Sequence, residues 1–317
     1  PSGGLSLNNL EQLSPAAARA LGRHEGELSL NGLERLAHPA ACGLARHAND
    51  LYLGGLKRLT PKIAAVLSRH RGDLSLDGLK RLSGRTATHL ARYRGKLHLH
   101  GLTRLTDPVA EAFGRREGFL CLQHVKKLTS WQAELLATHR GPLHFHALTV
   151  DDWSSESLGH HQGSLAVNVA DDVRLVHLAL LAAHRGPLQI GGLKTIDAKR
   201  ATVFTARKAP RGMQGLYSLF LPDVAALTPA IAATLATYGA GELALSGIRT
   251  LTEDVARELV RHPLLALDRV RSVNDRVATI LAGHAGASLS LRGLVEASPA
   301  AFAALRANPA IHLPRRD

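Results

Sequence analysis

Leucine recurs along the chain in the pattern L-x-L-x-x-L-x-x-L, and successive copies are regularly spaced. In the first part of the chain each copy begins 23 residues after the last, at Leu5, Leu28, Leu51, Leu74, Leu97, Leu120 and Leu143. The pattern continues less regularly from Leu165, Leu188, Leu219, Leu243, Leu265 and Leu289, which gives thirteen units. The segment 311–313 resembles one more strand. A repeat period of roughly 20–50 residues is typical of a solenoid.

The hydrophobic period changes within each unit, which predicts a strand followed by a helix. In 74-LSL-76 apolar and polar residues alternate, so Leu74 and Leu76 face inward and Ser75 faces outward. A small and a large apolar residue then recur three positions apart, as in Ala64 and Leu67, and form a helical stripe facing the strands.

Helix boundaries are predicted by residues with special backbone preferences. A hydroxyl residue as the N-cap and a proline at the first helical position predict the helix starts at Ser14-Pro15, Thr60-Pro61, Thr228-Pro229 and Ser298-Pro299. Left-handed glycine C-caps are predicted to end the helices at Gly26, Gly72, Gly95, Gly118, Gly141 and Gly186.

Stacking of neighbouring units is required because one unit cannot bury its apolar stripe alone. Parallel strands stack at roughly 4.8 Å, whereas helix axes need roughly 8–10 Å, so the array should curve, with strands on the concave face and helices on the convex face. We therefore predict an α/β fold in which residues 1–317 form a single solenoid of about thirteen repeats. The unit 188–218 contains an insertion near residues 209–217, which is either a tolerated surface insertion or a contact loop.

These units resemble the leucine-rich repeat family, whose motif L-x-L-x-x-[N/C]-x-L is met by Leu28, Leu30, Leu33 and Leu36. The chain departs from the motif in two ways. The position that is usually Asn is Leu, and the last leucine comes one position late, so the asparagine ladder of the family is missing. Tandem 23-residue units are similar to irregular bacterial arrays. The resemblance implies a curved horseshoe that binds other molecules through its concave face.

Composition narrows the class of protein further. Hydrophobic residues make up 45% of the chain but aromatic residues only 4%, which favours a thin core of Leu and Ala. Cys42 and Cys121 lie in different repeats and indicate no disulfide framework. The start PSGGLSL lacks the features of a signal peptide, and no apolar run approaches the roughly 18 residues of a membrane span, so we expect a cytoplasmic location without membrane association. Neither end carries an obvious polar capping unit, so we expect the chain to be part of a larger protein or assembly.

Most of the 18 histidines follow the repeat. One position near the helix C-terminus holds His24, His47, His70, His139, His161, His184, His262 and His284, with Tyr93, Arg116 and Tyr238 in other repeats. A histidine there can meet the last helix carbonyls, which favours a structural role.

A second group of histidines lies on the predicted concave face, where the x residues of L-x-L-x-x-L project. The candidate partner-binding residues there are Tyr52, Asp77, His98, His100, Gln123, His124, His144 and His146. Two imidazoles and a thiolate from adjacent strands can converge on zinc, which suggests His98, Cys121 and His144 as one ligand set, or His100 and His146 with help from His98 as another. The alternative is a polar contact patch for a macromolecule, which would gain positive charge near pH 6.5.

A basic edge follows the third leucine in four successive units. Its seven cations are Lys57, Arg58, Lys80, Arg81, Arg104, Lys126 and Lys127, in a chain of formal net charge +13. The edge is either a solvated surface or a contact for an anionic partner, including nucleic acid. No nucleophile elbow, phosphate-binding loop or dinucleotide motif is present, so no enzymatic activity is predicted. We therefore expect an interaction scaffold for a protein partner, with nucleic acid and a metal-assisted site as alternatives.

Overall fold

The computed structural model describes residues 3–146, 148–209 and 216–314. In these residues fourteen strands alternate with thirteen helices, which confirms the predicted strand–helix repeat. The chain divides into two compact units, residues 1–167 and 168–317. A single solenoid over residues 1–317 stays a prediction, and most of the insertion predicted at 209–217 lies outside the described residues.

The first unit alternates short strands with helices of two turns. Its strands are β1 (Leu5–Ser6), β2 (Leu28–Ser29), β3 (Leu51–Tyr52), β4 (Leu74–Ser75), β5 (Leu97–His98), β6 (Leu120–Cys121), β7 (Leu143–His144) and β8 (Leu165–Asn168), the last of which crosses the unit boundary. Its helices are α1 (Pro15–Leu21), α2 (His38–Leu44), α3 (Pro61–Leu67), α4 (Gly84–Leu90), α5 (Asp107–Gly114), α6 (Ser130–Ala137) and α7 (Asp152–Gly159). Neighbouring strands pair in parallel with leucines in register, so Leu74 lies opposite Leu97 and Leu97 opposite Leu120.

The second unit repeats the same alternation. Its helices are α8 (Leu175–Ala182), α9 (Ala198–Thr205), α10 (Pro229–Ala236), α11 (Glu253–Leu259), α12 (Asp275–Ala282) and α13 (Pro299–Ala307). Its strands are β9 (Leu188–Gly191), β10 (Leu219–Phe220), β11 (Leu243–Ala244), β12 (Leu264–Ala266), β13 (Ser288–Ser290) and β14 (Ile311–His312). These strands also pair in parallel in sequence order.

The core lies between the strand layer and the helix stripe, as the leucine pattern predicts. In the repeat that contains β4, Leu74, Leu76 and Leu79 are fully buried, and so are Ala64 and Leu67 of α3. Burying one such leucine contributes roughly 1.5–3 kcal/mol. Because each leucine packs against its counterparts in adjacent repeats, this free energy is available only to stacked units.

Helix starts match the prediction, but helix ends do not. The Ser14 hydroxyl accepts a hydrogen bond from the Ala17 amide, and Thr60, Thr228 and Ser298 cap their helices in the same way. In contrast, the C-cap residues of α1 to α11 have right-handed backbone, and among the described glycines only Gly26 and Gly192 have positive φ. Of the predicted glycines only Gly26 has positive φ, and it lies beyond Gly22, the C-cap residue of α1, so the predicted left-handed caps do not end the helices. At Gly72 a side chain would collide with the backbone of Asn49 in the preceding repeat, so close approach of neighbouring repeats explains that glycine.

The repeat position after each helix forms a buried ladder of polar side chains. Within the first unit the rings of His24, His47, His70 and Tyr93 stack in succession, with centroids 6.1–6.3 Å apart. Several ladder residues donate to the last carbonyls of the preceding helix. The Nδ1–H of His139 donates to Phe113 in α5 at 3.0 Å, and the Asn308 side-chain amide donates to Ala282 in α12 at 2.9 Å. The predicted role at helix ends is confirmed for His139, which acts across repeats from a fully buried position, and Asn308 acts in the same way from a half-buried position.

Arg116 occupies one step of this ladder as a fully buried cation. Its guanidinium donates to the carbonyls of Leu90, Tyr93, Gly95 and Phe119. The same group lies 5.3 Å from the centre of the Tyr93 ring. Burial lowers the pKa of Arg116 to about 10, so it remains charged at neutral pH. Four carbonyl acceptors therefore solvate a buried charge and join two neighbouring repeats.

Replacement of Arg116 by Ala should lower the free energy of unfolding by about 3 kcal/mol or more, because buried carbonyls lose their donor and a cavity remains. Arg115→Ala is the matched control, since that side chain is exposed and pairs only with Glu111, and it should cost about 1 kcal/mol or less. Urea unfolding followed by circular dichroism measures both. Equal losses for the two variants would contradict a structural role for the buried guanidinium.

Acid should destabilise the fold through the ladder histidines. Burial lowers the pKa of His139 to about 4 and also lowers the pKa values of His47, His70, His161 and His262. The unfolded chain binds protons near pH 6.5 while the folded ladder stays neutral, so stability is full above that pH and is lost as the pH falls towards 4.

His139 alone should account for roughly 2 kcal/mol of this loss between pH 7.5 and pH 5. His139→Gln should therefore reduce the pH dependence of the unfolding free energy by that amount, whereas His38→Gln, at an exposed position, should leave it unchanged. A stability that does not change between the two pH values would rule out a neutral buried ladder.

Candidate functional site

The candidate site lies on the strand face, which we define as the polar side chains of the L-x-L-x-x-L segments on β3 to β7. Parallel register places His98 opposite Cys121 and Cys121 opposite His144. The predicted partner-binding residues Tyr52, Asp77, His98, His100, Gln123 and His144 are half-buried there, while His124 and His146 are exposed. The alternation of apolar and polar residues therefore brings these side chains to one surface.

Some polar residues of this face, and those that continue its rows into the two preceding repeats, serve the fold. The side-chain oxygen of Asn8 accepts from the Asn31 amide at 2.9 Å, and Asn31 accepts from the Gly54 amide at 2.7 Å. Asp77 does the same for the His100 amide at 2.9 Å and also accepts from the Ser75 hydroxyl at 2.6 Å. Asp77, predicted as a contact residue, thus links two repeats and holds the backbone of His100.

A cluster of aromatic and imidazole rings occupies the centre of the strand face. The ring centroids of His98 and His100 lie 5.3 Å apart, and that of Phe119 lies 5.5 Å from His98 and 4.7 Å from His144. We call His98, His100, Phe119 and His144 the ring cluster. Sequence reasoning missed Phe119 because it precedes the strand, outside the projecting positions. The signal was that equivalent residues are charged, as at Asp73 and Lys96.

Three potential metal ligands converge beside this cluster. Their donor atoms, from His98, His100 and Cys121, all lie within 4.8 Å of one another. This set differs from the predicted His98, Cys121 and His144. The Phe119 ring contacts both His98 and His144, so an apolar ring joins those two imidazoles. The alternative predicted set, His100 and His146 with help from His98, also differs from the three residues whose donor atoms converge.

Burial governs the ionisation of these groups. It raises the pKa of Cys121 to about 11, and Asp77 adds to the effect. Burial also lowers the pKa of His144, with His98 contributing, and lowers that of His100 although Asp77 opposes it. The protonation expected near pH 6.5 therefore moves to lower pH for these two histidines, and at neutral pH they are uncharged donors of nitrogen lone pairs.

The basic edge is exposed along all four of its repeats. Among the residues that the structure describes, only one of its seven cations has an ion-pair partner: Lys57, whose Nζ lies 3.8 Å from Glu34. Lys80, Arg81 and Arg104 line a cavity of about 660 Å³. The basic edge is therefore an exposed surface on which most of the positive charges have no ion-pair partner among the described residues.

The second unit contains a cavity lined by arginines that the repeat pattern did not predict. Five arginines line a cavity of about 700 Å³ with one acid, Asp268: Arg249, Arg269, Arg271, Arg292 and Arg306. The Asp268 carboxylate already accepts from the Ser290 hydroxyl and the Arg292 amide. Arg249 and Arg271 occupy the same repeat position as Lys57 and Lys80 of the basic edge, whereas Arg269, Arg292 and Arg306 occupy other positions, so no single row of the pattern contains all five.

Exposed apolar residues mark another surface of the first unit. Trp131 in α6 and Trp153 in α7 are 53% and 67% exposed and occupy neighbouring helices. In the described part of the chain, no helix has both the length and the apolar character needed to traverse a bilayer. Cys42 is exposed and Cys121 half-buried, and both are free thiols.

No protein-family model matches the chain, and no curated protein matches it significantly. Among solved structures it is similar to an internalin from Listeria monocytogenes, at 14% identity and a TM-score of 0.44 over 99% of this chain and 86% of that one. It is also similar to a chain of the yeast Rad7 and Elc1 complex, at 15% identity and a TM-score of 0.41 over 95% and 93% of the two chains. An LRR protein of Leptospira interrogans matches at 14% identity and a TM-score of 0.36 over 98% and 95%.

Likenesses this distant carry no conclusion about function. The fold is defined by the chain itself, in which parallel strands with buried leucines alternate with helices about every 23 residues. Each of the two units is therefore an α/β solenoid of the leucine-rich repeat type.

Proposed function

We propose that this protein is a non-enzymatic interaction scaffold that binds a protein partner on the strand face of its first unit. The observation that supports this most directly is the ring cluster, in which half-buried rings are already packed against one another. Protein interfaces are enriched in aromatic side chains, and a few such residues usually dominate binding. Rings that are ordered before binding lose little conformational entropy when a partner covers them.

The surroundings of the ring cluster fit the rim of an interface. Gln123 and His124 offer hydrogen-bonding groups in the repeat between those of His98 and His144, Tyr52 lies two strands before His98, and His146 is exposed beyond the rings. The basic edge, which runs along the four repeats that begin at β3 to β6, would orient a partner that carries acidic residues, because opposite charge accelerates encounter. A protein with an apolar patch bordered by carboxylates matches this surface.

Replacement of aromatic and imidazole rings on and beside the strand face should weaken capture of that partner. We expect the triple variant Tyr52→Ser, Phe119→Ser and His144→Ser to weaken binding at least tenfold, since removal of central interface rings costs more than about 1.4 kcal/mol. Immobilised chain and a lysate of its native source provide the assay, with recovered proteins quantified by mass spectrometry. This variant keeps His98, His100 and Cys121.

The matched control removes rings from the helices, as Trp131→Ser with Trp153→Ser. A protein captured by the wild type and by this control, but not by the strand-face variant, supports the proposal. Capture that depends on the tryptophans, capture that is equal for all chains, or no specific capture contradicts it. Unchanged thermal unfolding establishes that both variants are folded.

Polyanion binding is the second candidate function, and the shortage of acidic neighbours around the exposed cations favours it. Six of the seven cations of the basic edge lack an ion-pair partner among the described residues, and the arginine cavity has one acid beside five guanidinium groups. Displacement of counterions from nucleic acid by such groups would make binding strongest at low salt.

Fluorescence anisotropy with labelled DNA of arbitrary sequence at about 50 mM salt tests this function. Replacement of the seven edge cations by Gln should flatten the slope of log affinity against log salt by roughly 0.7–0.9 for each phosphate that is no longer neutralised. The comparison variant replaces Arg249, Arg269, Arg271 and Arg292 by Gln and reports on the second unit alone. Absence of binding, or a slope that neither variant changes, excludes this candidate.

A further inference from the structure

We propose that His98, His100 and Cys121 form a binding site for a transition-metal ion, with zinc as the ion that the donors suit best. His98 in β5 lies directly opposite Cys121 in β6, and His100 follows two residues after His98 on the same face. The three donor atoms lie within 4.8 Å of one another. The site requires only that the fold is correct, and it stands whether or not the strand face binds a protein.

The donor set matches the chemistry of zinc. Imidazole nitrogen and thiolate sulfur are ligands of this borderline-soft ion, at about 2.0–2.1 Å and 2.3 Å respectively. Tetrahedral coordination at those distances places donor atoms about 3.4–3.6 Å apart. The donor atoms lie within 4.8 Å of one another, so the separations exceed this by at most about 1.4 Å, a change that side-chain rotation of three half-buried residues can supply without moving the strands.

A carboxylate behind one of the histidines strengthens the assignment. Asp77 Oδ1 lies 3.3 Å from His100 Nδ1, and the carboxylate is itself held by the Ser75 hydroxyl and the His100 amide. A metal-binding histidine usually donates its second ring N–H to a carboxylate or carbonyl, which fixes the ring and makes the other nitrogen more basic. Asp77 would thus hold the proton of His100 on Nδ1 and leave Nε2 to bind the ion.

The coordination shell has room for one more ligand. Three protein donors leave one tetrahedral position, and because all three side chains are half-exposed this position is open to solvent. When the ion binds, the metal–sulfur bond replaces the S–H bond of Cys121 and one proton passes to solvent. The fourth ligand is then water or, if the proposed function holds, a histidine or carboxylate of the protein partner.

Metal titration of the purified chain tests the site without any partner. After treatment with a chelator, the protein should bind one equivalent of Zn²⁺ in isothermal titration calorimetry. Co²⁺ should give a sulfur-to-cobalt charge-transfer band and intense tetrahedral visible bands. Cys121→Ser should remove the charge-transfer band, and His98→Gln or His100→Gln should weaken binding at least tenfold. Asp77→Asn should weaken it by about 10–100-fold.

Two variants serve as matched controls because they change the same residue types outside the ligand set. Cys42→Ser and His144→Gln should bind Zn²⁺ and Co²⁺ as the wild type does. The proposal fails if no stoichiometric metal binds, if Cys121→Ser keeps the sulfur band, or if His144→Gln abolishes binding while His100→Gln does not. Thermal unfolding in chelator, compared among all variants, separates a missing ligand from a disrupted fold. The partner assay uses a variant with these ligands intact, so the two proposals fail independently.

Discussion

Hydrogen bonding between one repeat and the next is the constraint on which the structure depends. A two-turn helix leaves its last carbonyls without intrahelical partners, and several of these helices end inside the core. The next repeat supplies the missing donor: Arg116 for Leu90, His139 for Phe113 and Asn308 for Ala282. Apolar burial draws the repeats together without regard to their alignment, whereas these directional bonds fix the alignment of each unit on the one before it.

The two rows of polar side chains on the strand side of the repeats also differ in what they contribute to the fold. Asn8, Asn31 and Asp77 each hold the backbone of the following strand, so one row of the face belongs to the scaffold. The residues of the other row are not recorded as holding the backbone of the next strand in this way, and they include side chains as different as Ser29, Tyr52 and Cys121. Variation is concentrated in this row, which holds His98, Cys121 and His144, whereas His100 lies in the same row as Asn8, Asn31 and Asp77, and Phe119 precedes its strand.

Much of the architecture could be predicted from the chain alone because it depends on periodicity. The leucine spacing specified the strands and their register, and hydroxyl-proline pairs specified helix starts. Helix ends were mispredicted because a glycine required by close approach, such as Gly72, looks the same in sequence as a glycine required by positive φ. The site was predicted only as a face: His100 takes the place of His144 in the ligand set because the Phe119 ring and the Asp77 carboxylate orient the imidazoles. Asp77 and His100 lie one 23-residue period apart, but the period does not specify how the rings are oriented. The arginine cavity combines several repeat positions and so leaves no linear signature.

The two tryptophans have an optical consequence. Trp131 and Trp153 are the only indoles in the chain, and both belong to the first unit and are exposed. Their emission should therefore resemble that of indole in water even in the native protein, and unfolding should shift its wavelength little. Intrinsic fluorescence excited at the indole band therefore reports on residues 1–167. Residues 168–317 contain no tryptophan, so their unfolding is followed through Tyr217, Tyr238 and the amide chromophore.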